Sequence, residues 1–357
     1  MHTGFRKLCL ELAPRHERAI VLGATGSWAF ACGVLCLQLL RGSPPVDADI
    51  IVLHDTVFSS RDRACLTQLG VQCLCFDCLD AFRKELLTET CASIFSLLSL
   101  AKFACFDFLH RYTKLLWLDC DIVVQESFDD IWAYGPLALS EEDDHFYDHP
   151  AAKTCAINFE GSFPGIDVSQ PNLNSGVLVF DRMIPDWEER SAACLAFVRE
   201  HKKRLRYPDQ AVFTMLAQAM AYQDNPRMHL PNRFNCHPRN PQSLYATFVH
   251  CFGPYKVWND GLMLASYPEW QRVYKAWLSM GGSPYQGKME NSEYGQKNIF
   301  AVLRHFFALY ENGEKALATM HKELVKERKL RTHWERIAKI LLEKKNGVDA
   351  EGKNHAE

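Results

Sequence analysis

Two aspartates separated by a single residue, Asp119 and Asp121, sit in the apolar run from Lys114 to Val124. Strand residues i and i+2 face the same way, so a pair at the carboxyl end of such a run can converge on one cation. Two carboxylates beside an apolar stretch are costly to bury unless paired or metal-bound, and oxygen ligands suit Mn2+ or Mg2+. The plain alternative is a helix cap or turn, because this spacing is common. Downstream, His250 is followed by Gly253 and Lys256. One tight loop can thus deliver an imidazole to a metal and an ammonium to phosphate oxygens. Taken singly, His250 reads equally as a core histidine and Lys256 as a solvated charge. Asn174, Ser175 and Gly176 form a turn into the apolar run that ends at Asp181, and Gly176 permits a close backbone approach. Asp209 and Gln210 open an apolar helix through Val212, Phe213 and Leu216, where Asp209 can also serve as an N-terminal helix acid. Glu141, Glu142, Asp143 and Asp144 form an acidic run, readable as a solvated loop or as a group that binds or deprotonates a hydroxyl.

These residues need a frame, and the first 125 residues supply one. Ala19 to Leu22 is a short apolar run ending in the Gly23 to Ser27 turn, and the stretch from Trp28 to Leu40 reads as a helix. The whole uncharged segment Ala19 to Leu40 is long enough to cross a bilayer. The glycine turn in its middle favours strand, turn and helix instead. Asp49 to Asp55 reads as a buried parallel strand, a helix with Arg61, Arg63 and Leu66 follows, and a third strand is predicted near Val71 to Phe76. Repeated β and α segments argue for a doubly wound α/β sheet. A helix is predicted from about Ser96 to His110, ahead of the aspartate-bearing strand.

At 357 residues, with 48% hydrophobic and 23% charged, the chain can bury a full core, which excludes a disordered or fibrous protein. A formal net charge of −3 gives no overall basic surface for nucleic acid, and none is expected as a partner. The 14 cysteines fall singly through apolar runs and read as small buried hydrophobes in a reducing, cytoplasmic setting; residues 1–18, a lead segment, do not resemble a signal peptide. Cys73, Cys75 and Cys78 have half the spacing of a zinc site but no second paired set. From Lys315 to Lys345 a basic amphipathic helix is predicted, able to pack on the preceding domain or to lie against the inner face of an anionic membrane. Asn346 to Glu357 reads as a frayed tail.

In this order the motifs resemble glycosyltransferase family 8, the glycogenin-like and lipopolysaccharide galactosyltransferase-like enzymes, over roughly residues 19–265. The resemblance implies a GT-A type fold: a nucleotide-sugar-binding, Rossmann-like mixed sheet flanked by helices. A helical C-terminal extension over 266–345 and a disordered tail over 346–357 would follow it. It implies a retaining, divalent-metal-dependent transferase that moves a hexose from a UDP-sugar donor to a glycan, lipid-linked or protein acceptor. Asp119, Asp121 and His250 would hold Mn2+ (or Mg2+), and Lys256 would touch the diphosphate. Ala24, Thr25, Lys102, Cys120, Asn174, Ser175, Gly176 and Gly253 would line the donor site. Asp209 and Gln210 would be the catalytic pair, with Gln210 nearest the anomeric carbon, and Glu142 would face the acceptor.

Two positions depart from the family pattern. Thr25 stands where many relatives carry an acid after the first strand, and Lys102 where they usually carry arginine. Lysine cannot copy the two-pronged contact of a guanidinium. Two other classes compete with this reading. Gly23 to Ala29 also looks like a glycine-rich dinucleotide turn of an NAD(P)-dependent epimerase or reductase, although no Tyr-x-x-x-Lys pair accompanies it. The third class is a noncatalytic module that binds sugar nucleotides.

Overall fold

A computed structural model describes residues 3–42, 46–77, 97–142, 154–254 and 256–289. The chain divides into residues 1–299 and 300–357, and all described residues belong to the first unit. The amphipathic segment 315–345, the tail, Cys78, Asp143 and Asp144 lie outside the described residues.

The strands β1 (Arg18–Ala24), β2 (Asp49–His54), β3 (Gln72–Cys75), β4 (Lys114–Leu118), β6 (Leu137–Glu141) and β7 (Leu173–Asp181) form one sheet in the order β3-β2-β1-β4-β7-β6. The first four are parallel, whereas β7 runs antiparallel to both β4 and β6. The sheet is buried on both faces because alternate residues feed two separate cores. Ala19, Val21, Ile51, Leu53, Leu115 and Trp117 belong to one core; Ile20, Leu22, Ile50, Val52, Leu116 and Leu118 belong to the other. That arrangement explains why these strands read as continuous apolar runs.

Helix α1 (Thr3–Glu11) contributes Phe5 and Leu8 to the first core, so part of the lead segment is structural. Helix α2 (Ala29–Leu40) is buried at every position but its last, which accounts for the long uncharged segment. Among the described residues no helix is long and apolar enough to cross a membrane. Helix α3 (Ser60–Gln68) follows β2 and is capped by the Ser59 side chain, which accepts from the Asp62 amide. The helix expected over Ser96 to His110 is instead a 3-10 segment, Leu97–Phe103, followed by the short α4 (Ala104–Phe108). The remaining α-helices among the described residues are α5 (Trp187–His201), α6 (Pro208–Ala219), α7 (Gly261–Ser266) and α8 (Pro268–Ser279). Trp270, Val273 and Trp277 carry α8 into the second core. A Cβ on Gly33 would lie 2.4 Å from the Trp277 ring, so this glycine is what allows α2 and α8 to approach.

A small second sheet pairs β5 (Ile122–Val124) antiparallel with β8 (Phe248–His250), and Ile122 stands opposite His250. This places the end of β8 beside the residues that follow β4.

Candidate functional site

The chain emerges from β4 at Leu118 and enters β5 at Ile122, so Asp119 and Asp121 lie on the turn between the two sheets. Their convergence therefore comes from the turn and not from strand pleat, as their spacing suggested. The Asp119 amide donates to the Gly176 carbonyl at 2.9 Å, which ties the turn to β7. The Cys251 amide donates to the Asp121 carbonyl at 2.9 Å, which ties it to β8. One ligand atom each from Asp119, Asp121 and His250 falls within a 4.8 Å group. His250 Nε2 is 3.2 Å from Asp121 Oδ1 and 3.9 Å from Asp119 Oδ2.

The surroundings hold this group in place. Trp117 Nε1 donates to Asp119 Oδ1 at 2.7 Å. Asn235 Oδ1 is 2.8 Å from His250 Nδ1, and Asn235 Nδ2 donates to Asn174 Oδ1 at 2.9 Å. Because the second bond fixes the Asn235 amide, the first assigns the proton to Nδ1 and turns the Nε2 lone pair towards the carboxylates. That is the tautomer a metal-ligating histidine uses. A Cβ on Gly176 would lie 2.0 Å from His250 Cε1, so this glycine supplies the space the imidazole occupies. Gly176 lies within β7, and the turn expected from Asn174 is strand from Leu173 onward.

Two lysines neutralise the aspartates. Lys256 Nζ lies 2.5 Å from Asp121 Oδ2 and donates to the Cys251 carbonyl at 2.8 Å. Lys102, only 2% exposed, reaches Asp209 Oδ2 at 2.8 Å, Ser175 Oγ at 3.2 Å and Asp119 Oδ2 at 3.3 Å. Burial raises the Asp121 carboxyl, but Lys256 and His250 outweigh it and hold the group well below the ordinary carboxylate range. Burial also raises Asp119, and there it prevails over Lys102 and His250, so that carboxyl lies above its ordinary value. Burial lowers the Lys102 ammonium, but Asp119 and Asp209 outweigh it and leave the pKa raised.

A second polar group adjoins the first. Gln210, in the opening turn of α6, directs Nε2 to Glu142 Oε2, Asn158 Oδ1 and Asn172 Oδ1, each at 3.2 Å. Glu142 also accepts from Asn172 at 2.9 Å and from Asn174 at 3.1 Å. Its carboxylate is thus engaged by protein amides.

The sequence-derived residues separate accordingly. Lys102, Asp119, Asp121, Ser175, Gly176, Asp209, His250 and Lys256 come together around the aspartates, and Glu142, Asn174 and Gln210 form the adjoining network. Lys102 lies beneath the carboxylates with its ammonium bonded to protein. Thr25, Trp28, Ser99 and Cys120 line a recess of about 200 Å3 that opens beside Asp119 and Asp121. The Cys120 thiol turns inward to the Gly23 carbonyl, and the Ala24 side chain lies in the core. Gly253 supplies the left-handed backbone, φ 97°, between His250 and Lys256. Residues missed in the sequence include Trp28, Ser99, Trp117, Asn158, Asn172 and Asn235. Asn235 ends the short 3-10 turn Asn232–Phe234 that precedes β8.

The glycines that suggested a dinucleotide turn have local duties. A Cβ on Gly23 would lie 2.8 Å from the Trp117 ring, and one on Gly26 2.7 Å from the Val57 carbonyl. Neither explains the carboxylates at the strand ends, which are where an open α/β sheet binds its ligand.

An open mixed sheet with two carboxylates and an imidazole at its strand ends has a candidate cation site where such sheets bind their ligands. Residues 19–261 match the model of glycosyl transferase family 8, and the chain belongs to that family and is a glycosyltransferase. This membership displaces the dinucleotide reading. The galactosyltransferase LgtC, solved with donor and acceptor sugar analogues, matches with a TM-score of 0.55 at 17% identity, over 73% of this chain and 99% of that one. An active-site glutamine-to-glutamate mutant of LgtC matches at 0.56 and 17% identity, over 78% and 99%. The bifunctional glycosyltransferase WbbM matches at 0.50 and 18% identity, over 74% of this chain and 52% of that one. The mixed sheet flanked by helices is the GT-A arrangement of these structures. No curated protein sequence shows a significant match.

Proposed function

We propose that the chain is a retaining hexosyltransferase that uses a divalent cation to move a sugar from a UDP-sugar to a hydroxyl of a glycan, lipid-linked or protein acceptor. The observation that carries this reading is the group formed by Asp119, Asp121 and His250 at the strand ends. Two carboxylate oxygens and one imidazole nitrogen fit Mn2+ or Mg2+, and the His250 tautomer leaves its ligating nitrogen on the correct side. When bound, the cation supplies positive charge to the diphosphate leaving group. Lys256, on the same turn system, is the second cation for those oxygens. Thr25, Trp28 and Ser99 line the recess that receives the donor beside them. The relation to LgtC, a galactosyltransferase, supports a hexose as the transferred group.

Gln210 is assigned to the anomeric carbon. As a neutral amide it is a poor nucleophile, so substitution on the front face of an ion pair is the preferred course. The bond from C1 to the UDP oxygen breaks and its electron pair stays with UDP. The acceptor oxygen bonds C1 on the same face, and its proton passes to the departing phosphate oxygen. Free thiols on the 12 described cysteines support a reducing, cytoplasmic setting.

The test is UDP release from a panel of nucleotide sugars with Mn2+ present, with and without simple sugar acceptors. Asp119→Ala and Asp121→Ala are expected to abolish it while the protein stays folded. Binding of UDP without release from any donor would instead mark a noncatalytic module.

A further inference from the structure

Glu142 sits where an acceptor-binding acid was expected, yet its hydrogen bonds run into the protein. An ionised carboxylate only accepts, so each amide that meets it must present nitrogen. Asn172 does so at 2.9 Å, which leaves Asn172 Oδ1 to accept from Asn158 at 2.8 Å and from Gln210 at 3.2 Å. Gln210 meets only acceptors at this end, Glu142, Asn158 and Asn172. Its Nε2 is therefore committed to protein, and Oε1 is the end left for substrate. A second arm leaves the same carboxylate. Asn174 also presents nitrogen to Glu142, at 3.1 Å, so its Oδ1 accepts from the Gly176 amide at 2.8 Å and from Asn235 at 2.9 Å. Asn235 then turns its own oxygen to His250 Nδ1 at 2.8 Å.

We propose that Glu142 is a positioning residue that sets the polarity of the whole site: through Asn172 it fixes which end of the Gln210 amide faces the sugar, and through Asn174 and Asn235 it fixes which nitrogen of His250 faces Asp119 and Asp121. This inference rests on the assignments of Gln210 and His250 given above, and it takes Glu142 out of the acceptor site. One acceptor-only group is enough for both arms, because an amide that donates at one end is obliged to accept at the other.

Glu142→Gln tests it, since the new amide brings a donor to face the donating nitrogens of Asn172, Asn174 and Gln210. Nitrogen-15 NMR of histidine-labelled protein at alkaline pH reads the His250 tautomer. Wild type is expected to carry the proton on Nδ1, and Glu142→Gln to lose that single state. Mn2+ affinity measured calorimetrically without nucleotide is expected to fall about 10- to 100-fold, the usual effect of removing support behind a ligand. Glu142→Asp, still acceptor-only, is expected to keep the tautomer. With a UDP-sugar and no acceptor, hydrolysis by Glu142→Gln is expected to fall in the same proportion as transfer, with the acceptor KM unchanged. With Mn2+ saturating, so that the weakened metal affinity does not limit turnover, the substitution is expected to lower hydrolysis far less in a Gln210→Ala background than in wild type, while still disturbing His250. A wild-type His250 protonated on Nε2 overturns the proposal whatever the variants do. Unchanged hydrolysis with a raised acceptor KM overturns it as well, by returning Glu142 to the acceptor. Failure of wild type to turn over any nucleotide sugar defeats the functional reading instead, and the tautomer comparison then still decides the role of Glu142.

Discussion

Lys256 Nζ lies 2.5 Å from Asp121 Oδ2, on one of the carboxylates that would bind a cation. The lysine and a divalent ion would therefore share one carboxylate, and an ion held by Asp121 would loosen the ammonium close to where a diphosphate would sit. Lys256→Met removes the competitor. Mn2+ binding without nucleotide is expected to tighten by about 10-fold, within the ordinary range of couplings between sites. UDP binding in the presence of Mn2+ is expected to weaken, because the freed cation is missing. Calorimetric titration of Mn2+, then of UDP, checks both signs, and an unchanged Mn2+ affinity would show that the two do not share Asp121.

Gly176→Ala places a methyl group where the His250 ring stands, 2.0 Å from Cε1. The backbone of β7 cannot retreat, because the Gly176 amide donates to Asn174 Oδ1 and its carbonyl accepts from Asp119. The ring must move instead. Overpacking of this kind costs about 1–3 kcal/mol. Urea unfolding is expected to show that loss, and Mn2+ titration a fall in affinity of about 10-fold or more. Retention of wild-type Mn2+ affinity would remove His250 from the ligand set.

The sheet was legible because each of its central strands feeds a core on both faces. Ile20 and Leu22 point one way, Ala19 and Val21 the other, and the sequence shows this as an unbroken apolar run. Asp119, Asp121 and His250 were legible by residue type and order, although the pleat argument for their convergence gave way to a turn. Lys102 was less readable, since its partner Asp209 is 107 residues away and leaves no local pattern. The network behind Gln210 was not legible at all. Asn158, Asn172 and Asn235 belong to segments where asparagine ordinarily signals a turn. Their shared function arises from a chain of amide polarities that begins at Glu142 and only exists once β6, β7 and α6 are assembled.

Asp49, wholly buried at the start of β2, accepts from the Arg15 amide at 2.7 Å, from Arg15 Nε at 2.9 Å and from the Tyr112 hydroxyl at 3.1 Å. Burial alone would raise its carboxyl, but these donors outweigh it and hold the group below its ordinary range. A carboxyl depressed in the folded state adds stability at every pH above its unfolded value, about 3.9, and loses it as pH falls through the lower folded value. Asp49→Asn is therefore expected to be less stable than wild type by about 1–3 kcal/mol at pH 7. The gap is expected to begin narrowing below about pH 4, where the unfolded carboxyl takes up its proton, and to close only as pH passes the lower folded value. Urea titrations at pH 7 and pH 3 measure it, and a gap independent of pH would show that the ionised form has no special hold.

Lys102 carries the last test because its role was expected at the donor and its contacts lie below it. Its ammonium is shared by Asp209, Ser175 and Asp119, and Ser175 donates to the same Asp209 oxygen at 2.9 Å. Lys102→Met leaves the buried Asp209 carboxylate facing Asp119 with no intervening cation. Removing one partner of a buried pair costs about 3–5 kcal/mol, since a charge remains uncompensated. Lys102→Arg retains the charge but brings a larger planar head into a site that is 2% exposed, and is expected to cost about 1–3 kcal/mol. Adding Asp209→Asn to Lys102→Met removes the orphaned charge and is expected to recover much of the loss. Urea unfolding of the single and double variants checks the cycle. A Lys102→Met protein within about 0.5 kcal/mol of wild type, the range of an ordinary surface change, would show that the lysine is not the counterion beneath the site.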